Sequence, residues 1–526
     1  MKCYKSLLNT PRIMEESRGH TRFIGVDALF QYTGSGVQLF SGMVFYIIIV
    51  RLFNSTAVGA IALFVAIIGL FNIVFSFGLG TAAQHFTSYN LGKGDHASVR
   101  KTIEKIIAYG FMFSILGFVS LLILAPEISI VFLHSDGYIE LVRILSVVLV
   151  GNVMFGILNG TLLGIQNFRL SALISIIIWV TYYFVSVAFA FYLRSIDTIV
   201  FGWVIGIFAG VAIELIAVLT SIRKFLGQGR APSNGHLMMY SLPILLSGII
   251  SVGASSADRF IVSGLISLSS LGVYNFSLLI ASSIGFLASP FNNILMPKFS
   301  EFLGKGEKDK IAPVVKVSTT LLSYFYVPSA LGIAALAPII LNLLGGNQYI
   351  GGATPLRIIM FSTAIFISQN ILSQAVASIR KTRIFIYSSG LALAANVVFS
   401  LVLIPKFGLI GAALGYSSVY GVTFLILYFF ARREGIIGFD LYGLAKLWIV
   451  SLIMFFTVDY VSDIIGLKIS LLPAYILLGA AIYISLGKAI GIFKRESNEL
   501  ILSLFPPYFK KTRGFISSLL LSRERQ

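Results

Sequence analysis

The sequence predicts an all-α membrane protein of about fourteen transmembrane helices, built as two parallel six-helix repeats with a helix pair appended. Three observations predict it. Mean hydropathy is +0.92. With 57% hydrophobic and only 11% charged residues, 526 residues carry more apolar surface than a water-soluble domain can hide. The apolar stretches are long enough to cross a bilayer, which takes about 20 residues of helix. Finally, the same landmarks run through the chain twice, in the same orientation. Leu91-Gly-Lys-Gly-Asp95 returns as Leu303-Gly-Lys-Gly-Glu307, and Ala125-Pro126 as Ala337-Pro338, both 212 residues later. Arg143-Ile-Leu returns as Arg357-Ile-Ile, and Arg169 as Arg383. Gly202, Gly206, Arg223 and Lys224 return as Gly411, Gly415, Arg432 and Arg433. Two such halves imply a pseudo-two-fold axis along the membrane normal, the plan of a transporter whose substrate site lies between rocking halves.

The elements follow in order. The first half places spans at roughly 27–50, 57–84, 103–125, 141–163, 170–193 and 198–222. The second places them at roughly 237–263, 268–296, 314–343, 355–379, 384–404 and 408–430, and the appended pair at 442–462 and 470–491. The chain then divides into a cytoplasmic N-terminal segment (1–22), a six-helix bundle (23–222), a linker (223–236), a second bundle (237–430), the appended helices (431–493) and a tail (494–526). Gly, Pro, Ser and charge mark the linker as cytoplasmic. The tail alternates basic residues with Phe505, Tyr508, Phe509 and Phe515, which reads as a segment lying on the inner leaflet. The basic stretch at the N-terminus leads into a full-length span and has no cleavage site, so the first helix is expected to stay.

A formal charge of +18 raises the question of nucleic acid. Its distribution answers it. With both termini inside, the outer segments hold only Arg51, Arg143, Arg194, Arg357, Lys406 and Lys468, Arg259 lies within the seventh span, and the other basic residues fall on the inner side. That is the positive-inside pattern of a multi-pass protein of the cell membrane, with anionic lipid as a second partner of the basic face. No nucleic-acid partner is expected. Cys3 is the one cysteine, so neither an internal disulfide nor a cysteine metal site exists.

Polar groups are costly inside lipid, so their placement is informative. The first span carries Asp27, Gln31, Ser35, Gln38, Gly42 and Tyr46 at steps of 3 or 4, one face of a helix. The second carries Asn72, Ser76, Gly80 and Gln84, followed by His85; the seventh carries Ser247, Ser251, Ser255 and Asp258; the eighth carries Asn275, Ser282, Ser289 and Asn292-Asn293. Small and hydroxyl residues also serve simple helix packing, and that reading stays open for the serines. Gln31 and Gln38 on one face favour a cavity, because bulky amides at depth need partners or water. The stripes fall on repeat-equivalent spans, as a cavity on the pseudo-axis requires. Charges are few. Arg51 ends the first span and is either a snorkelling residue or a site residue. Glu214, in the sixth, is a structural partner or a coupling group for a proton or ion. Asp258 and Arg259 end the seventh-span stripe, where a buried carboxylate can titrate or hold a cation.

Catalytic motifs are missing. No G-x-x-x-x-G-K-[ST] phosphate cradle occurs, and His20, His85, His96, His134 and His236 lack metal-ligand spacing. No cofactor and no enzymatic activity are expected. External loops are short, and Asn54-Ser-Thr56 matches a glycosylation sequon too close to the helix ends to favour modification.

Several local patterns carry a family resemblance. They are Leu163-Gly-Ile-Gln-Asn-Phe-Arg169, Asp258-Arg-Phe, Leu271-Gly-Val-Tyr274, Met296-Pro-Lys-Phe-Ser300 and Ile404-Pro-Lys-Phe-Gly-Leu-Ile-Gly-Ala-Ala413. In this order, with the 6+6+2 layout, the chain resembles the multidrug/oligosaccharidyl-lipid/polysaccharide exporter superfamily over about residues 20–490, and most closely its polysaccharide (O-antigen-type) flippases. The resemblance implies a V-shaped pair of bundles around a cavity lined by spans 1, 2, 7 and 8. It implies alternating access that moves a lipid-linked oligosaccharide across the membrane, with the appended pair beside the lipid tail. The anion-binding cations of such cavities have only Arg51 and Arg259 as matches here. The expected function is therefore a lipid-linked oligosaccharide flippase for surface polysaccharide assembly or protein glycosylation, with H+ or Na+ as candidate coupling ions and glycan-assembly proteins as candidate partners. Expected cavity or coupling residues are Gln31, Gln38, Arg51, Asn72, Gln84, Ser251, Ser255, Asp258, Arg259 and Asn275, with Glu214 as a second coupling acid. One rival is a multidrug extrusion cation antiporter, although two helices are added and the acid of the first span, Asp27, sits at its inner end. The other is a membrane glycosyltransferase or ligase, which needs a roomy external loop and leaves the repeat unexplained.

Overall fold

The computed structural model describes residues 10–492 except 226, 228, 380, 382 and 467, with side chains from residue 30 onward except 32, 289–294 and 297. The tail at 494–526 and the side chain of Asp27 lie outside the described residues. Among the described residues thirteen helices are long and apolar enough to cross a membrane, or up to fourteen when a pair bent by 45° is taken as one span. The expected all-α polytopic fold of about fourteen spans is thus borne out.

Contacts divide the chain into two compact units: Met1–Phe53 with Phe64–Ile249, and Asn54–Leu63 with Ile250–Gln526. The helices in chain order are α1 (Thr10–Leu52), α2 (Ser55–Ser76), α3 (Leu79–Gly92), α4 (His96–Leu133), α5 (Ile139–Gly164), α6 (Phe168–Leu193), α7 (Ile196–Ile222) and α8 (Asn234–Leu265). They continue as α9 (Leu268–Ser283), α10 (Ser289–Gly304), α11 (Ile311–Ala335), α12 (Ala337–Gly345), α13 (Ala353–Ile365), α14 (Ser368–Ser378), α15 (Arg383–Phe407), α16 (Leu409–Arg433), α17 (Leu441–Ile465) and α18 (Leu472–Ala489).

Four expected continuous spans are broken. The second ends at Ser76 because Phe77 and Gly78 both take left-handed φ, 50° and 66°, before α3 begins. Asn72 and Ser76 therefore do not share one helical face with Gly80 and Gln84. The eighth passes through a 3-10 stretch, Ile284–Ala288, into α10, which has a proline in its first turn where no N–H is needed. The ninth breaks at Leu336 and the tenth between α13 and α14. Conversely, α4 runs straight through Pro126 to Leu133, where His134 closes it at φ 52°. The missing N–H frees one carbonyl only, and Ile128, Ser129 and Leu133 continue the buried face. The Ala-Pro landmark is thus a break in the second repeat alone.

Other repeated landmarks do the same physical work twice. In the two Leu-Gly-Lys-Gly segments, Gly94 and Gly306 take φ of 72° and 73°. Each is followed by the same closing bond, from Asp95 N–H to Asn90 O at 3.1 Å and from Glu307 N–H to Phe302 O at 2.8 Å. Both helices end with a left-handed glycine, which needs no Cβ. The repeated glycine pairs make close helix crossings. A Cβ on Gly206 would lie 2.4 Å from Tyr182 Cα, across α6 and α7. A Cβ on Gly415 would lie 2.2 Å from Ser400 Oγ, across α15 and α16. Small residues at i and i+4 let membrane helices approach backbone to backbone.

The linker is held against the first unit. Lys105 Nζ donates to Pro232 O at 2.6 Å, and Arg230 N–H to Ser98 Oγ at 3.0 Å. The appended pair is fastened to the second unit. Arg357 on α13 pairs with Asp459 on α17. Tyr483 hydroxyl donates to Tyr324 O at 2.9 Å, and Tyr324 hydroxyl to Ile492 O at 2.8 Å.

Candidate functional site: a polar pocket inside the first unit

The face of α1 that carries glutamine and serine does not end against lipid. Gln31, Gly34, Ser35 and Gln38 line a pocket of ≈ 260 Å³, with Phe155 and Asn159 from α5 and Ala172, Ser175 and Trp179 from α6. α1 and α6 pack closely beside it: a Cβ on Gly34 would sit in ordinary van der Waals contact, 3.6 Å from Ala172 O. The α5 pair is spaced by 4 and the α6 trio by 3 and 4, so each helix turns one face to the pocket.

Hydrogen bonds fix its walls. Gln31 Nε2 donates to Phe168 O at 2.7 Å and reaches Ser171 Oγ at 3.5 Å. Asn159 Nδ2 reaches Ser171 Oγ at 3.1 Å, Ser175 Oγ at 3.2 Å and Glu214 Oε1 at 3.1 Å. These partners determine which way the amides face, because a backbone carbonyl and a carboxylate accept and do not donate. Glu214, on α7, is fully buried, and its Oε2 has no partner among the described residues. A carboxyl group at membrane depth with one satisfied oxygen is costly and is rare without a use. Aromatic rings back the pocket. Tyr183 stacks on Trp179 at 6.0 Å, Phe155 stands edge-on to it at 6.0 Å, and Tyr182 stacks on Trp203 at 5.7 Å.

The structure therefore brings together three of the residues singled out from the sequence: Gln31 and Gln38 in the wall, and Glu214 one hydrogen bond behind it. The others lie elsewhere. Arg51 is exposed near the end of α1. Asn72 on α2 has a buried Oδ1 without a donor among the described residues. Gln84 is exposed on α3. Ser251 and Ser255 are exposed on α8, and Ser255 hydroxyl donates to Val252 O of its own helix at 3.1 Å. Asn275, on α9, is buried.

Asp258 forms a second polar site, inside the second unit. It is fully buried and accepts from Tyr274 hydroxyl at 2.6 Å. The same hydroxyl lies 3.3 Å from Ala412 O. Asp258 Oδ1 and Arg259 Nε have no partner among the described residues. Sequence reasoning missed Asn159, Ser175 and Trp179. Their signal was present: Asn152 and Asn159 are two bulky amides seven residues apart inside one apolar span, and Ser171, Ser175 and Trp179 fall at steps of 4 on the next.

Long apolar helices, an appended helix pair and polar side chains gathered among them define a multi-pass α-helical membrane protein. The solved structures it resembles have that fold. A lipid II flippase MurJ in an inward closed conformation superposes with a TM-score of 0.72 at 17% identity, covering 88% of this chain and 98% of that one. A multidrug resistance MATE family transporter of the MOP superfamily, inward-facing, gives 0.60 at 16% identity, covering 76% and 94%. The profile of a family described as "Polysaccharide biosynthesis protein" matches residues 48–353, more than half of the sequence, and the chain belongs to that family. The chain is 20% identical over 390 residues to the probable low-salt glycan biosynthesis flippase Agl15 of Haloferax volcanii, covering 74% of this chain and 79% of that protein. It is 21% identical over 198 residues to the capsular polysaccharide biosynthesis protein CapF of Staphylococcus aureus, covering 38% and 50%. The resemblance to the exporter superfamily is thereby borne out.

Proposed function

We propose that this protein carries a lipid-linked oligosaccharide across the cell membrane by alternating access, for surface polysaccharide assembly or protein glycosylation. The observation that carries the reading is a pocket of uncharged hydrogen-bonding side chains at membrane depth, in a chain of the polysaccharide biosynthesis family. Sugar hydroxyls crossing a bilayer need such groups in place of water. In this reading Gln31 and Gln38 meet the headgroup, and Asn72, Gln84, Ser251, Ser255 and Asn275 hydrate its path. Arg51 and Arg259 supply the few cations available to an anionic linkage. Glu214 is the coupling acid within reach of the pocket, with Asp258 as the alternative, and H+ or Na+ as the ion. Both termini are cytoplasmic, and the step involves no covalent chemistry on the substrate.

The test is transfer of a fluorescent lipid-linked oligosaccharide between leaflets of liposomes, read by its accessibility to an impermeant glycosidase. Transfer above protein-free liposomes supports the reading. Absence of transfer by folded protein, with and without proton or sodium gradients, sinks it. A multidrug cation antiporter is the second reading, favoured by one observation: the buried, half-satisfied carboxyl of Glu214 inside a bundle whose fold is shared with a MATE transporter. Proton-driven efflux of an organic cation, without oligosaccharide transfer, selects it.

A further inference from the structure

We infer that the pocket between α1, α5 and α6 is a subsite for one uncharged sugar ring, selective against acidic sugars. The inference rests on the flippase reading only for its biological use; the recognition argument is local.

Size comes first. At ≈ 260 Å³ the pocket falls just below the range of about 300–1,000 Å³ that holds drug-sized ligands. It suits a single ring, not a chain of rings. The second point is acceptor chemistry. Gln31 and Asn159 both commit their amide N–H groups to protein partners. Their carbonyl oxygens have no donor among the described residues, and the held nitrogens stop the amides from flipping. A ligand entering here must bring O–H or N–H donors. Ser35 hydroxyl and the amide of Gln38, which makes no hydrogen bond among the described residues, add groups that both donate and accept. That mixture, with fixed acceptors, matches a ring bearing several hydroxyls.

Trp179 supplies the apolar half. It is half-buried, held on one side by the stacked Tyr183 and at its edge by Phe155, so its orientation is set before a ligand arrives. A pyranose presents C–H bonds on one face, and a rigid indole offers that face a large apolar partner at little entropic cost. Charge settles the class. None of the nine lining residues is basic, and the carboxyl of Glu214 lies one hydrogen bond behind Asn159. A uronic acid or phosphosugar in the pocket would lose water without gaining a cation, beside another acid.

The experiment uses the full chain in nanodiscs and saturation-transfer NMR with methyl glucoside, methyl galactoside and methyl glucuronide as probes. Neutral glycosides are expected to give saturable signals and the glucuronide none. Trp179→Leu is expected to weaken neutral binding about tenfold, with Trp179→Phe recovering part of it. Gln38→Ala keeps the test valid if the tryptophan variants unfold, because its side chain makes no hydrogen bond among the described residues; it is expected to weaken binding severalfold. Glucuronide binding equal to glucoside, or neutral binding unchanged in Gln38→Ala and in folded Trp179→Leu, overturns the inference. Liposome transfer separates this inference from the flippase reading. Wild-type protein that transfers no oligosaccharide yet binds glycosides in a Trp179-dependent way refutes the flippase and leaves the subsite standing. Transfer with Trp179-independent glycoside behaviour refutes the subsite and leaves the flippase.

Discussion

Among the described residues each unit buries one carboxyl residue completely, and the two are treated in opposite ways. Glu214 in the first unit is held through Asn159, whose amide also joins two serines in the wall of a polar pocket. Asp258 in the second is bonded by Tyr274, a buried ring whose hydroxyl also approaches the Ala412 carbonyl of a packed helix. Both acids keep one oxygen without a donor among the described residues. The difference lies in what adjoins them: a pocket with amides on one side, an aromatic ring and backbone on the other. A buried acid is therefore not a site by itself. It becomes one when a ligand or ion can reach the group that holds it.

That contrast can be broken by substitution. The largest expected effect is on transfer: Glu214→Gln is expected to slow it at least about tenfold, equivalent to about 1.4 kcal/mol of barrier, while Asp258→Asn changes it less. Equal losses in liposome transfer would erase the functional distinction between the two acids. Next comes stability. Asn159→Leu removes the two N–H donors that Glu214, Ser171 and Ser175 share, and Tyr274→Phe removes one donor to Asp258. Hydrogen bonds to charged groups contribute about 1.5–3 kcal/mol each, so both variants should unfold earlier, Asn159→Leu more so. Thermal unfolding in detergent, monitored by the intrinsic fluorescence of each variant, checks the order.

The matched helix crossings sharpen the contrast at smaller amplitude. Ala at Gly206 meets the Tyr182 backbone, which cannot move without its helix. Ala at Gly415 meets the Ser400 hydroxyl, which can rotate away at the loss of its bond to Asn396. Overpacking costs about 1–3 kcal/mol, and Gly206→Ala is expected near the top of that range with Gly415→Ala near the bottom. Similar unfolding shifts for the two would mean that Tyr182 has slack the structure does not show.

The smallest effect concerns how each unit is tied at its basic end. The first uses the linker bonds of Lys105 and Arg230. The second uses ions: Glu434 lies between Lys308, at 3.1 Å, and Lys381. Hydrogen bonds from these two lysines hold the Glu434 carboxyl below its ordinary range. A depressed acid contributes stability that is whole above its unfolded value and is lost as pH falls through the lowered folded value. Wild-type stability is therefore expected to fall slightly through the acid range, and Glu434→Gln to remove that part of the slope. An unchanged slope in the variant's pH series would show that the clamp contributes nothing.

Much of this was legible in the sequence. The spans follow from apolar length alone, because lipid leaves a backbone no partner but its own helix. The repeat was legible at Gly94 and Gly306, and at the glycine pairs, because glycine is the residue those turns and crossings favour. Gln31, Gln38 and Glu214 stood out as costly groups at depth. Their partners did not. Asn159 shares its span with only one other amide, Asn152, and Trp179 follows two serines that also suit simple packing, so both read as packing until their neighbours are known. The breaks at Phe77-Gly78 and at Leu336, and the passage of α4 through Pro126, were equally hidden. A left-handed Phe or an interior Pro is decided by what surrounding helices will hold in place, not by local preference.

The sequence by itself determined the solvent this protein lives in, the number and order of its spans and the duplication of its bundle, since each is written in hydropathy and in residues with one steric use. Only the tertiary structure decided that α1, α5 and α6 enclose a pocket, that Glu214 stands behind it, and that Asp258 is bonded by a buried ring. Those facts depend on how the helices rotate about their own axes relative to one another, and rotation is fixed by packing between different helices, with separations from 16 positions for Asp258 and Tyr274 to 137 for Gln31 and Phe168.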